Sequence, residues 1–212
     1  MSDNEVFFGL KHPFSMQIIG PTGVGKTELL FKILNERKRI IDKPIDKVYY
    51  VYGIYQIKFD EYAKIDPDVS FHSTIPVVEK KENSLFIFDD YQSNLSTEIN
   101  KTFTDFITRE CHHNSVSVIY TLQNAYIKNL RTASLNTTYM IFFNQIRDQT
   151  TIHQIARQMF PSKTNFLIEA YQYCTQKPRG YIFIDMHVLQ NPKFRVRSNV
   201  FNDEDCVLFS PV

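Results

Sequence analysis

The stretch Gly20-Pro21-Thr22-Gly23-Val24-Gly25-Lys26-Thr27 fits G-x-x-x-x-G-K-[ST], the phosphate-binding loop of NTPases, and it constrains the whole chain. Such a loop works only between a strand and a helix, and both are legible. Phe14-Ser15-Met16-Gln17-Ile18-Ile19 reads as a short strand leading into the loop. Residues 28–37 read as a helix, with Leu29, Leu30, Ile33 and Leu34 on one face. Glycines let the backbone turn so that successive N–H groups point inward and form a nest for phosphate oxygens. The helix N-terminus adds about half a positive charge. In this setting Lys26 is expected to reach the β- and γ-phosphates of ATP, and Thr27 to hold Mg²⁺ through its hydroxyl. Lys26 reads as a functional side chain outside the core.

A second feature lies downstream. Ser84-Leu85-Phe86-Ile87-Phe88-Asp89-Asp90 is an apolar run ending in paired carboxylates, the Walker B pattern. Asp89 is expected at the Mg²⁺, through water, and Asp90 is placed to polarise an attacking water. The plainer alternative is a buried strand whose carboxylates cap the succeeding segment, and the phosphate loop upstream weighs against it. Val116-Ser117-Val118-Ile119-Tyr120-Thr121-Leu122 reads as another strand, followed by Gln123-Asn124. From its position Gln123 either hydrogen-bonds the γ-phosphate or the attacking water, or simply opens a loop.

The rest of the chain reads as one domain, residues 1–212, with a lead-in over 1–13. Residues 47–53 are β-branched and aromatic and read as a strand, whereas 54–83 read as a loop with short elements. Residues 95–110 carry a helical stripe with Ser96 as its cap. Cys111-His112-His113 lacks a second ligand pair at zinc spacing. Residues 138–143 read as a fifth strand. Asp148 is placed to cap a helix striped by Ile152, Ile155, Ala156, Met159 and Phe160, and Ser162 to cap another. A closing β-hairpin comes next over 180–200, then an acidic tail over 202–212. The composition, 43% apolar and 22% charged, is that of a globular protein, and the net charge of +1 excludes a global basic field. Three scattered cysteines suit a reducing compartment without a disulfide framework. No apolar run reaches the length of a membrane span.

Strand, phosphate loop and helix, then one strand ending in two carboxylates and the next in a glutamine, describe an α/β fold. The expected form is that of a RecA-like (ASCE) P-loop NTPase, with a central, mostly parallel sheet flanked by helices and a C-terminal β-hairpin. The chain also resembles the genome-packaging ATPases of DNA viruses within the FtsK–HerA superfamily. The types most alike are those of virophages and Polinton/Maverick elements, with poxvirus ATPases as relatives. The resemblance runs over residues 9–200. It rests on His12-Pro13-Phe14-Ser15-Met16, Ile87-Phe88-Asp89-Asp90, Thr108-Arg109-Glu110-Cys111-His112-His113-Asn114 and Tyr120-Thr121-Leu122-Gln123-Asn124. Leu130-Arg131-Thr132-Ala133-Ser134-Leu135-Asn136, Arg147-Asp148 and Ile155-Ala156-Arg157-Gln158-Met159-Phe160-Pro161 complete it.

The resemblance implies an ATP- and Mg²⁺-dependent motor that pumps double-stranded DNA, irrespective of sequence, into a preformed capsid at its portal vertex. It implies a homo-oligomeric ring, hexamer or pentamer, acting inside the host cell where virions assemble, in a cytoplasmic factory or the nucleus, or on the virion. Gln123 becomes the sensor, and Arg109 the foremost candidate for an arginine finger, with Arg131 and Arg147 in reserve. One departure is visible: bacterial DNA-pumping relatives carry Asp-Glu at Walker B, whereas this chain has Asp89-Asp90, one methylene shorter. Two other readings compete, a P-loop nucleotide kinase and a nucleotide-binding assembly protein without turnover. No compact lid with paired arginines favours the first, and Asp89-Asp90 with Gln123 argue against the second.

Overall fold

The computed structural model describes residues 9–78, 83–91, 115–123, 136–201 and 205–211. In chain order the strands are β1 (Ser15–Ile19), β2 (Lys47–Tyr52), β3 (Val69–His72), β4 (Ser84–Asp89), β5 (Val116–Leu122), β6 (Tyr139–Phe143), β7 (Tyr181–Asp185), β8 (Val196–Arg197) and β9 (Leu208–Phe209). The helices are α1 (Lys26–Ile40), α2 (Lys58–Ile65), α3 (Thr150–Met159) and α4 (Thr164–Cys174).

Every residue of β1, β4, β5 and β6 is buried. Strands covered on both faces belong to a parallel sheet between layers of helix, and that is what forms. The order is β3-β2-β4-β5-β1-β6-β7-β8-β9, and β3 through β6 pair in parallel. β5 is thereby interposed between β1, which feeds the phosphate loop, and β4, which ends in the carboxylates. At β7 the direction reverses, and β7, β8 and β9 extend the sheet antiparallel.

The two-residue period of a strand splits the core into two halves. Leu85 and Ile87 of β4 join Leu30, Ile33 and Leu34 of α1 and Phe59 of α2 on one face. Phe86 and Phe88 join Ile155 of α3 and Leu167 of α4 on the other. Each fully buried side chain of this size contributes about 2 kcal/mol of transfer free energy.

The sequence expectations meet several differences. The first helix is longer than residues 28–37, because it begins within the phosphate motif at Lys26 and runs on to Ile40. The short elements expected after β2 are α2, which packs through Phe59, and β3, which adds a parallel edge strand to β2. α2 has only that one buried residue, so its pattern is faint. Ser162 is not the cap of α4, whose N-cap position is Lys163. The closing hairpin forms, β7 against β8, but a 3-10 turn at Pro192–Phe194 shortens its second strand. Within the acidic tail, Leu208–Phe209 supplies β9. The helix read over 95–110, Cys111-His112-His113, Arg109 and Arg131 lie outside the described residues.

Candidate active site

The phosphate loop leaves β1 at Gly20, whose amide donates to Leu122 O at 3.0 Å. A Cβ at Gly20 would stand 2.8 Å from Val24 Cγ1 and 2.9 Å from Phe143 Cβ, so only glycine passes there. Gly23 and Gly25 turn the chain through the left-handed region, with φ of 80° and 109°. Gly25 is the N-cap of α1 and supplies no side chain to cover the first turn. The first bond of the helix runs from Leu29 N to Gly25 O at 3.0 Å. The amides of Lys26, Thr27 and Glu28 precede it, and they form the donor-rich end of the helix at the loop.

Lys26 differs from expectation. It is only 5% exposed, and Nζ donates to Gly20 O at 2.9 Å and Pro21 O at 3.1 Å. The ammonium is thus folded back across its own loop instead of standing outside the core. Burial lowers its pKa, and the carboxylates of Asp90 and Asp89 oppose that shift.

Asp89 closes β4 as a buried carboxylate. A buried charge is costly unless hydrogen-bonded, and here three hydroxyls answer it. Thr27 Oγ1 and Tyr50 Oη donate to Oδ2 at 2.8 and 2.7 Å. Thr121 Oγ1 donates to Oδ1 at 3.1 Å. The pKa of the Tyr50 phenol is pushed well up, first by burial and then by the charge of Asp89. The Thr27 hydroxyl and Asp89 carboxylate form a hard-oxygen pair of the kind that fits Mg²⁺, which takes few protein ligands and completes its shell with substrate phosphates and water. No group of three metal-ligating His, Cys, Asp or Glu side chains gathers among the described residues.

Asp90 follows in left-handed backbone, φ 48°, with its amide donating to Thr121 Oγ1 at 2.9 Å. Its carboxyl is half-buried, and burial raises its pKa; Lys26 opposes this and Asp89 adds to it. Thr121 therefore ties both carboxylate residues to β5. Gln123 comes two residues later, exposed, with its carbonyl accepting from Gln145 Nε2 at 2.9 Å. Gln145 is itself buried and its backbone N–H donates to Tyr171 Oη at 2.8 Å. Arg147 is exposed beyond the end of β6.

Lys26, Thr27, Asp89, Asp90 and Gln123 thus converge on the carboxyl edge of the parallel strands, where open α/β sheets bind ligands. Sequence reading missed Tyr50, Thr121 and Gln145. Thr121 carried a signal, as a polar residue near the end of an apolar run; Tyr50 sat unmarked in an aromatic strand. A groove of about 910 Å³ between residues 161–166 and 208–211 contains none of these side chains.

No protein-family model matches the sequence, and no curated protein matches it. Solved structures do. The DNA-packaging ATPase of Sulfolobus Turreted Icosahedral Virus aligns with a TM-score of 0.52 at 12% identity, over 95% of this chain and 98% of that one. The genome packaging NTPase of Sulfolobus turreted icosahedral virus 2, in complex with ATP-gammaS, gives 0.52 at 9% identity, over 94% and 98%. The cytoplasmic domain of the Type VII secretion ATPase EccC of Thermomonospora curvata gives 0.54 at 12% identity, over 92% of this chain and 25% of that one. At such identities the likeness is one of architecture: the chain has the fold of the RecA-like P-loop ATPases.

Proposed function

We propose that this chain is an ATPase whose hydrolysis drives double-stranded viral DNA into a preformed capsid. The observation that carries the hydrolytic part is the setting of Asp90: beside a carboxylate already engaged by Thr27, with a pKa raised by burial, and facing the charge of Lys26. Binding alone needs no second carboxylate there; taking a proton from water does. In this reading the loop residues Gly20 to Thr27 cradle the triphosphate and Lys26 moves from its carbonyls onto the β- and γ-phosphates. Thr27 and Asp89 would hold Mg²⁺, which would neutralise phosphate oxygens when bound. Asp90 accepts the water's proton, and Gln123 orients the water or senses the γ-phosphate.

The motor part rests on the family resemblance and on the architectural likeness to viral packaging NTPases. The chain acts as one ATPase domain in a ring of several copies, and it is of the virophage and Polinton/Maverick type. It docks at the capsid's portal vertex inside the host cell. Arg109 is the finger supplied to a neighbour, with Arg131 and Arg147 as the alternatives. A net charge of +1 makes a single subunit a weak DNA binder, so the ring must supply affinity through phosphate contacts that disregard sequence. An ATPase assay with and without duplex DNA tests the reading. Hydrolysis stimulated by DNA of any sequence supports it. Phosphate transfer to an acceptor would make the chain a kinase, and binding without turnover an assembly protein.

A further inference from the structure

A turn outside the recognised motifs reaches the phosphate loop from the opposite side. β7 runs antiparallel to β6, with Tyr181 opposite Phe143. The residues that precede β7 therefore arrive at the same sheet edge where β1 releases the loop. They are Lys177-Pro178-Arg179-Gly180, held by the Gly180 amide on Lys177 O at 2.9 Å. Gly180 is packed so tightly on the end of α4 that a Cβ there would stand 2.1 Å from Cys174 O. Arg179 is exposed and in left-handed backbone, φ 62°. Non-glycine residues seldom adopt this conformation, and it persists where surroundings impose it, often at ligand clamps.

The stem of Arg179 lies on the loop itself. A Cβ on Gly25 would meet Arg179 Cγ at 3.4 Å, Cδ at 3.5 Å and Cβ at 3.7 Å. Asp89, Asp90 and Gln123 stand at the carboxyl ends of β4 and β5, on one side of β1; Arg179 lies two residues before β7, on the other. The γ-phosphate end of a nucleotide belongs with the carboxylates. We propose that Arg179 grips the α,β-diphosphate of the nucleotide in cis, the part that ATP and ADP share. A guanidinium is suited to this, being planar, permanently charged and able to bind phosphate through two N–H groups at once. Arg179 is thereby distinct from a finger given to a neighbour: it sets how tightly a subunit holds nucleotide before and after turnover. The inference rests on the phosphate-loop reading of the site.

Arg179→Gly removes the guanidinium and suits the left-handed backbone, so the turn is not strained; Arg179→Lys keeps the charge. Affinities for ADP and for a non-hydrolysable ATP analogue are measured on the full chain by calorimetry, with melting temperatures taken without nucleotide. Arg179→Gly is expected to weaken both nucleotides by the same factor, roughly tenfold or more, with lysine recovering part of the loss. Nucleotide-free melting should not fall. Unchanged ADP affinity overturns the proposal, as does a loss confined to the ATP analogue, which would place the group at the γ-phosphate. A lowered melting temperature in both variants with equal loss of affinity overturns it in favour of a structural role. Wild-type protein that binds neither nucleotide sinks the phosphate-loop reading itself, and this proposal with it.

Discussion

The phenol of Tyr50 donates to Asp89 Oδ2 at 2.7 Å, the same oxygen that accepts the Thr27 hydroxyl. A β2 side chain thus helps to stabilise the carboxylate of β4 independently of any metal. Tyr50→Phe keeps the ring packed against Phe31, Phe59 and Phe71 and removes only the donor. A hydrogen bond to a charged group contributes about 1.5–3 kcal/mol, so urea denaturation should show a loss near the lower end of that range. Equal stability of the two proteins would mean that Thr27 and Thr121 suffice for Asp89.

Asp90 gives a pH signature. Its folded-state pKa is raised, chiefly by burial, so the folded protein holds this proton more tightly than the unfolded chain. The resulting contribution to stability is fully present below the ordinary aspartate range and is lost as pH rises through the elevated folded value. Asp90→Asn abolishes that dependence. Its stability relative to wild type should therefore increase as pH rises through the ordinary aspartate range and level off above the elevated folded value. Asparagine also tolerates φ 48° well, which adds an offset independent of pH. The same variant should bind ATP and Mg²⁺ yet fail to hydrolyse. A stability difference that stays flat with pH would mean that folding does not raise the pKa of Asp90, and turnover rescued by excess Mg²⁺ would reverse the roles given to the two carboxylates.

Lys26→Ala should abolish turnover, by more than ~100-fold, because a charge aimed at the transferring phosphoryl group is lost. The burial of Lys26 adds a second effect. Gly20 O and Pro21 O lose their donor and the stem leaves a gap, so the variant should also be less stable by about 1–2 kcal/mol. Lys26→Met fills the gap and should recover part of the stability without recovering activity. Paired denaturation and hydrolysis measurements separate the two effects; hydrolysis at wild-type rate by folded Lys26→Ala would remove the assignment.

Arg109→Ala tests the ring. A finger supplied in trans contributes on the order of 10³-fold or more in rate. Arg109→Ala subunits should be inactive alone and regain hydrolysis when mixed with Lys26→Ala subunits, since an intact loop then faces an intact arginine across one interface. If the mixtures stay silent while Arg109→Ala still assembles, the trans role passes to Arg131 or Arg147.

What was legible in the sequence was whatever had a fixed spacing or a strong period. The phosphate loop, the run ending at Asp89 and Asp90, and the strand leading to Gln123 each carry their chemistry within a few consecutive residues. The partners of these groups come from elsewhere in the sheet and leave no local trace. Tyr50 reads as one more aromatic in β2, and only the pairing of β2 with β4 brings it to Asp89. Lys26 looked accessible because a phosphate-binding lysine must reach substrate, yet its two carbonyl partners lie five and six residues back in its own loop. α2 is faint in the sequence because a short helix attached through one buried residue, Phe59, and the partly buried Tyr62 shows little periodicity.

The bond from the Gly20 amide to Leu122 O has a further consequence, in time instead of in space. β1 is buried along its whole length and paired on both sides, so that amide should exchange its hydrogen with solvent only when the entire sheet opens. Gly23, a few residues on, has open space around it and should exchange through local motion alone. The loop is therefore anchored at its root to the slowest-opening part of the molecule and free at its crest. Nucleotide closing over the crest should slow exchange there while leaving the root, already protected, unchanged.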